Sequence, residues 1–423
     1  MRTILKQFIL GSFLIAAFAA SSLVVSAQTA DPCVGAVEAY KEWSEVLYSK
    51  KDIPGREMAI EKGKEFVTKY PDCKDQEDGY KFIKDNLPTL EKNLAAVKRS
   101  DEKKKQTAKF LDGMKASRWE DVYAAGKFLL AEYPDEMRDA KLVLATVGYD
   151  ETRKSATNTK WNDETIKYAK EVISDLEANK VFKNWGVNPG ANPIVYKGKD
   201  DVLGWMNYYI GYLNAYDKKN KREGATYMFK ASQIPGEASA DPIPYAAIGQ
   251  FLVEQLNEEI KKLKALPAIV DADTPEIKTQ KEEALKAQAG LMKGTADRAL
   301  DAYARAYAKA GETPALKAYK EGVLKAYKEI YFIRYDKADG ADVMIKAPLT
   351  KSLLNPTAPI VSVSDVTPAA GTGPAGTKPV TAPGTKTVPA KNPATAPVTK
   401  PATVVKPAAA KPGASVAKKK ATR

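Results

Sequence analysis

Histidine is absent from all 423 residues. That removes Ser-His-Asp and Cys-His catalysis, c-type haem attachment and every zinc or iron site that needs an imidazole. Cysteine is nearly absent too, limited to Cys33 and Cys73. Strand-like alternation is scarce, which argues against a β-sheet core. What remains offers little catalytic chemistry. Asp271-x-Asp273-x-x-Glu276 lacks the alternating oxygen ligands and turn glycine of a calcium loop, and is better explained by Asp273 or Thr274 capping a helix. Glu258-Glu259 and Glu282-Glu283 sit in highly charged helical stretches and suit solvated faces rather than general acids. The expectation is a protein that is not an enzyme and carries no metal or cofactor.

Net charge is lacking from most of the chain as well. Residues 356–423 hold 12 of the 26 prolines, no aromatic residue and +9 of the net +13; residues 1–27 hold +2. The body between them is left with only +2. So few large apolar groups cannot offset conformational entropy, so 356–423 is expected to be a disordered Pro/Ala/Thr/Lys-rich tail. Its isolated lysines resemble those of linker-histone tails. The N-terminus argues against chromatin: Arg2 and Lys6 precede an apolar run from Phe8 to Val25, then small residues to Ala27. This pattern predicts a secretory signal peptide cleaved after Ala27, with an uncleaved anchor as the alternative. An exported cationic tail would meet anionic envelope polymers or lipid headgroups, or serve as a soluble spacer. Without aromatics to stack on bases, it is not expected to bind nucleic acid sequence-specifically.

Helical periodicity dominates the body. Val34 to Lys50 and Pro54 to Tyr70 predict an antiparallel hairpin whose open end receives Cys33 and Cys73 together. A disulfide there suits an oxidising compartment and is worth roughly 4 kcal/mol in the chain-entropy account. The second helix ends in a phrase that the chain writes twice. Gly63-Lys64-Glu65-Phe66-Val67-Thr68-Lys69-Tyr70-Pro71-Asp72 returns as Gly126-Lys127-Phe128-Leu129-Leu130-Ala131-Glu132-Tyr133-Pro134-Asp135. Each copy closes an amphipathic helix with a tyrosine and a proline that cannot continue it. A repeated helix ending points to stacked helical hairpins. Ser117-Arg118-Trp119-Glu120 predicts a capping box before the second copy's helix. Further stripes run through Leu300, Tyr303 and Tyr307, and through Leu316, Val323, Tyr327 and Tyr331.

One hairpin is more specific. Gly211 lies in the aromatic-rich helix Met206 to Tyr216, Ala225-Thr226-Tyr227-Met228-Phe229 follows, and Ile234-Pro235 ends the unit. This resembles a tetratricopeptide repeat, in which a small residue of the first helix packs against an Ala-x3-Phe of the second. The spacing from Gly211 to Ala225 is longer than that family's, and no regular 34-residue period is visible. The resemblance implies an all-α array of antiparallel hairpins, an α-solenoid, with Gly211, Ala225, Phe229, Gly63, Tyr70, Gly126 and Tyr133 at packing positions. Two arrays are expected, over 28–183 and 201–355, separated by a loop or joint at 184–200 that is rich in Gly, Asn and Pro. There Phe182, Trp185 and Tyr196 are expected to tuck under neighbouring helices.

Tyr208, Tyr209, Tyr212 and Tyr216 crowd one helix, and at about 100° per residue they cannot all face one neighbour. Core packing and groove lining both stand; in the second case these residues and Trp185 form a partner surface. The functional expectation is an exported, periplasmic or envelope-associated scaffold that binds a protein or peptide partner, with the tail as tether. The alternatives are a structural envelope protein acting through its tail, and a small-ligand binder or enzyme using 184–200.

Overall fold

The structure is a computed structural model that describes residues 31–184, 186–187 and 194–363. The expected signal peptide, Trp185 and the tail beyond 363 lie outside the described residues. The fold is all-α. Among the described residues there are thirteen α-helices, one 3-10 turn and a single two-residue strand pairing. They form two compact units that divide between Lys104 and Lys105.

The N-terminal unit contains α1 (Ala36–Ser49), α2 (Ile53–Lys69), the 3-10 turn Lys74–Gln76 and the first part of α3 (Glu77–Lys115). Asp52 starts α2 by accepting from the Gly55 amide at 3.0 Å, with a proline in the first turn. Trp43 of α1 is wholly buried, and its Nε1 donates to the Ala59 carbonyl at 2.9 Å. Phe66, Tyr70 and Ile83 complete the small core. Cys33 and Cys73 are disulfide-bonded at the hairpin's open end, with Cα atoms 5.4 Å apart.

The C-terminal unit begins with the end of α3, where Phe110 and Met114 are buried, and continues through α4 (Trp119–Glu132), α5 (Ala140–Lys154) and α6 (Asn162–Glu177). After β1 (Gly186–Val187) and β2 (Ile194–Val195), which pair antiparallel, come α7 (Lys199–Tyr216), α8 (Lys221–Gln233) and α9 (Glu237–Ala240). Then follow α10 (Ile243–Ala265), α11 (Pro275–Lys309), α12 (Pro314–Tyr335) and α13 (Ala341–Met344). Longer helices adjacent in sequence pack in pairs from α4 onward; α7 also touches α5 and α10, so alternate helices share a face. One continuous core runs from Phe110 to Leu353.

Three expectations need correction. The division of the chain falls inside α3 rather than at 184–200, because no residue between Ile83 and Phe110 is buried, whereas α6 packs directly on α7. Phe182 and Tyr196 are buried in the same core, tucked under neighbouring helices as expected. Ser117 forms no capping box. It takes a left-handed φ of 54° and ends α3, with the Arg118 amide donating to the Gly113 carbonyl at 2.8 Å. Finally, 356–363 does not belong with the tail: it is an ordered strap along α11, with Pro356 buried and Arg298 gripping its carbonyls.

The repeated phrase has the same structure in both copies. Tyr70 and Tyr133 each end their helix, at φ −123°, ψ 48° and φ −138°, ψ 55°, and each amide donates to the carbonyl four residues back. Gly63 and Gly126 each sit where a neighbouring helix crosses closely.

Candidate functional site

The tyrosine helix differs from the partner-surface expectation. Tyr208, Tyr209 and Tyr212 are buried, and only Tyr216, at 37 % exposure, reaches solvent. The reason is the surroundings of α7: α5, α6, α8, α9 and α10 all pack on it, burying Met206 to Ala215 without a break and leaving its two ends open. Tyr149 of α5 is the centre of the resulting cluster. Its ring lies 4.5 Å from Tyr209, and edge-on to Tyr208 and Tyr212 at 5.7 and 5.1 Å. Tyr196, arriving from the loop, places its hydroxyl 3.3 Å from those of Tyr209 and Thr146. These rings are core. Such edge and offset contacts add to their area burial and fix the spacing of α5 against α7.

The hairpin register also differs from the repeat resemblance. Ala225 is buried as expected, but the side chain over Gly211 is Met228; a Cβ at Gly211 would meet Met228 Cγ at 2.8 Å and its backbone nitrogen at 2.9 Å. Phe229 is only half-buried. The inward stripe of α8 is Gly224, Ala225, Met228 and Ala231, and Phe229 lies about 100° round from Met228. Gly224 in turn lies against the Ala215 backbone, so two glycines set the closeness of the hairpin.

On the face shared by α5, α7, α10 and α12 the polar groups gather. Arg153 and Asp150 project from α5, Asp241 precedes α10, and Tyr216 ends α7. Tyr319 of α12 donates to the Pro242 carbonyl at 3.4 Å and closes one side. The guanidinium of Arg153 lies 5.3 Å from the Tyr149 ring centre, a cation–π contact. Asp150 and Asp241 are both half-buried within electrostatic reach of that guanidinium. Desolvation pushes the Asp150 carboxyl up to about 6, with Arg153 and Lys154 opposing it. The Asp241 carboxyl is raised for the same reason, although it accepts from the Ile243 amide at 2.8 Å and faces Arg153. Burial also raises the hydroxyls of Tyr216 and Tyr319, each of which faces Asp241. The buried Tyr208 hydroxyl finds no hydrogen-bond partner at ordinary distance; Tyr149 and Asp241 are the groups it faces.

Sequence reasoning missed this cluster. Asp150 and Arg153 are the polar end of an otherwise apolar run, Leu142 to Tyr149, and nothing in the run says what they meet. Asp241-Pro242 has only the local pattern of a helix start. Of the other acidic candidates, Asp273 is taken up by Lys281 at 2.7 Å and the Val270 amide, and Thr274 accepts from the Ile277 amide. Glu258 and Glu259 pair with Lys261 and Lys262. Among the described residues no group of acidic or sulfur side chains could hold a metal, and no helix is long and apolar enough to cross a membrane.

A second recess, about 440 Å³, opens at the start of α7 between Lys197, Asp201, Gly236 and Glu237. Asp201 is buried; its Oδ2 accepts from the Lys197 amide at 3.0 Å, while its Oδ1 has no hydrogen-bond partner.

No family model matches the chain, and neither does any curated protein or solved structure.

Proposed function

We propose that the chain is an exported scaffold of degenerate tetratricopeptide-like hairpins that holds a peptide partner on the face of α5, α7, α10 and α12. The observation that carries this reading is that Asp150 and Asp241, both half-buried, lie within electrostatic reach of the same Arg153, with Tyr216 exposed at the edge. Arg153, joined by Lys154 at Asp150, opposes the desolvation of the two carboxylates without cancelling it. An incoming Lys or Arg side chain would relieve it, and Tyr216 offers a ring for its stem. The partner class is therefore a peptide with an exposed basic residue, and the protein performs no chemistry on it. Peptides differing only in one Lys, Glu or Ala, titrated against the full chain by NMR, should bind in that order of preference. Asp241→Asn with Tyr216→Ala should weaken the Lys peptide at least tenfold. Equal affinity for all three peptides, or an unchanged affinity in the double variant, removes the reading.

Residues 1–27 direct export in this proposal, and the +9 tail tethers the scaffold to anionic envelope polymers. Screening makes tail binding steeply salt-dependent. Salt-insensitive retention on wall fragments or anionic vesicles would exclude the tether.

A second reading, small-ligand binding near 184–200, is favoured by the unpaired Asp201 Oδ1 in its recess. It requires a small amine to stabilise the protein and Asp201→Asn to abolish that effect.

A further inference from the structure

Two glycines of α11 lie directly under the strap. Gly290 and Gly294 lie in the interior of a 35-residue helix, where glycine costs about 1 kcal/mol relative to alanine. The nearest atoms a Cβ at Gly290 would meet belong to Ser362 and Val363; at Gly294 they belong to Ile360 and Val361. Both vacancies therefore make room for the strap. The strap is held by its backbone. Arg298 donates from Nη1 to the Ala358 carbonyl at 2.8 Å and from Nη2 to the Pro359 carbonyl at 2.6 Å. Arg305 donates to the Lys351 carbonyl, and the Val363 amide donates to the Gly290 carbonyl at 3.0 Å. A site that reads carbonyls and asks for no amide between 356 and 360 accommodates proline without loss. Entry is set by a turn at Asn355-Pro356, in which Asn355 Oδ1 accepts from the Thr357 amide at 3.0 Å.

The same phrase occurs again in the tail. Asn355-Pro356-Thr357-Ala358-Pro359-Ile360 has its counterpart in Asn392-Pro393-Ala394-Thr395-Ala396-Pro397-Val398, with one residue inserted after the proline. Asn-Pro, Thr-Ala-Pro and a β-branched apolar residue are kept in order. We propose that the α11 groove from Gly290 to Arg305 is a docking site for extended Thr-Ala-Pro segments, and that the tail segment 392–398 is its second occupant, exchanging with the strap. The reach is sufficient. Val363 and Asn392 are separated by 28 residues, and a random-coil chain of that length would span about 30 Å, against about 12 Å for the helix between Gly290 and Arg298. Such a tether gives the segment a local concentration in the millimolar range. The inference is independent of the peptide face on α5, α7, α10 and α12.

The test uses the full chain. A photo-crosslinking residue in place of Thr399 should form adducts on α11 between 290 and 305, and Gly294→Leu should lower their yield at least tenfold. The first atoms a side chain there meets are those of the strap, Val361 O and Ile360 Cγ2, and an unchanged amide spectrum of α5–α10 in this variant checks that the core is kept. Weakening the strap with Pro359→Gly and Ile360→Gly should raise the yield severalfold and shift the amide signals of Ala396 and Val398. If that variant loses its native spectrum, the Gly294→Leu comparison in the otherwise unaltered chain decides. Absence of α11 adducts, adducts that survive Gly294→Leu, or adducts formed only between two chains would each overturn the proposal.

Discussion

The N-terminal unit closes on a small core around Trp43, Phe66, Tyr70 and Ile83 and on a disulfide, whereas the C-terminal unit closes on an unbroken core from Phe110 to Leu353 without any covalent link. Both use the same closing phrase, and the phrase has the same geometry in each. What differs is how much apolar surface the surrounding helices supply. A two-helix hairpin with part of a third is below the size at which packing alone is ample. It is there that the chain places its two cysteines. Stability in one unit depends on connectivity, and in the other on the fit between successive helices.

The largest effect should come from removing the link. Cys33→Ser with Cys73→Ser is expected to cost about 4 kcal/mol in the N-terminal unit under the chain-entropy account of a loop of this length. Hydrogen exchange, read separately for α1–α2 and α5–α10, should show faster exchange in the first only. Equal acceleration in both would erase the contrast between the units.

Next comes the fit inside the C-terminal unit. Gly211→Leu must displace Met228, including its backbone nitrogen, so it should lose up to about 3 kcal/mol despite leucine's better helix propensity. Phe229→Ala, at a half-buried position, should cost less than Gly211→Leu. A reversed order in thermal melts would restore the register that the repeat resemblance implied.

That reversal of roles shows what the sequence could and could not convey. Helix positions, the hairpin around Cys33 and Cys73 and the meaning of the repeated phrase follow from local patterns: periodicity, a capping aspartate, a proline after tyrosine. The four tyrosines of α7 were ambiguous because their exposure depends on five neighbouring helices that approach from distant parts of the chain. Arg153 and Asp241 belong together only through the packing of α5 and of α10 on α7, which no local signal encodes. The strap was hidden for a similar reason. Residues 356–363 have tail composition, and their order comes from Gly290, Gly294 and Arg298, more than fifty residues earlier.

A smaller effect tests the electrostatic asymmetry of the two units. Asp150 is raised from 3.8 to about 6 in the folded protein. Between those values the native state binds more protons than the unfolded one, so stability should fall as pH rises from about 4 to 6 and stay lowered above it. The full shift corresponds to roughly 3 kcal/mol; partial exposure of the side chain reduces this to about 1–2 kcal/mol. Asp150→Asn should therefore raise C-terminal-unit stability at pH 7 by that amount and flatten its pH dependence between 4 and 6. A variant that is less stable at pH 7, or that keeps the slope, would show that Arg153 outweighs desolvation there.

The finest comparison is between the two phrase glycines themselves. At Gly63 an added methyl would meet Trp43 Nε1 at 3.0 Å, and that indole is fixed by its hydrogen bond to the Ala59 carbonyl. Leu87 and Ile83 close the other side at 3.1 and 3.2 Å. At Gly126 the methyl would meet Phe110 Cε2 at 3.0 Å and the Leu144 methyls beyond it, carbon atoms with no polar contact to preserve. Each substitution gains up to about 1 kcal/mol of helix propensity. At 126 a small rotation of Phe110 should absorb the contact and leave Gly126→Ala close to neutral. At 63 the indole cannot yield without stretching its buried hydrogen bond, a loss of about 1–2 kcal/mol that exceeds the gain. Gly63→Ala should thus destabilise its unit by about 1 kcal/mol, visible as faster amide exchange in α1 and α2. If Gly126→Ala proves the costlier of the two, the phrase is tuned to its larger core and the pinned tryptophan is not what makes the N-terminal copy need glycine.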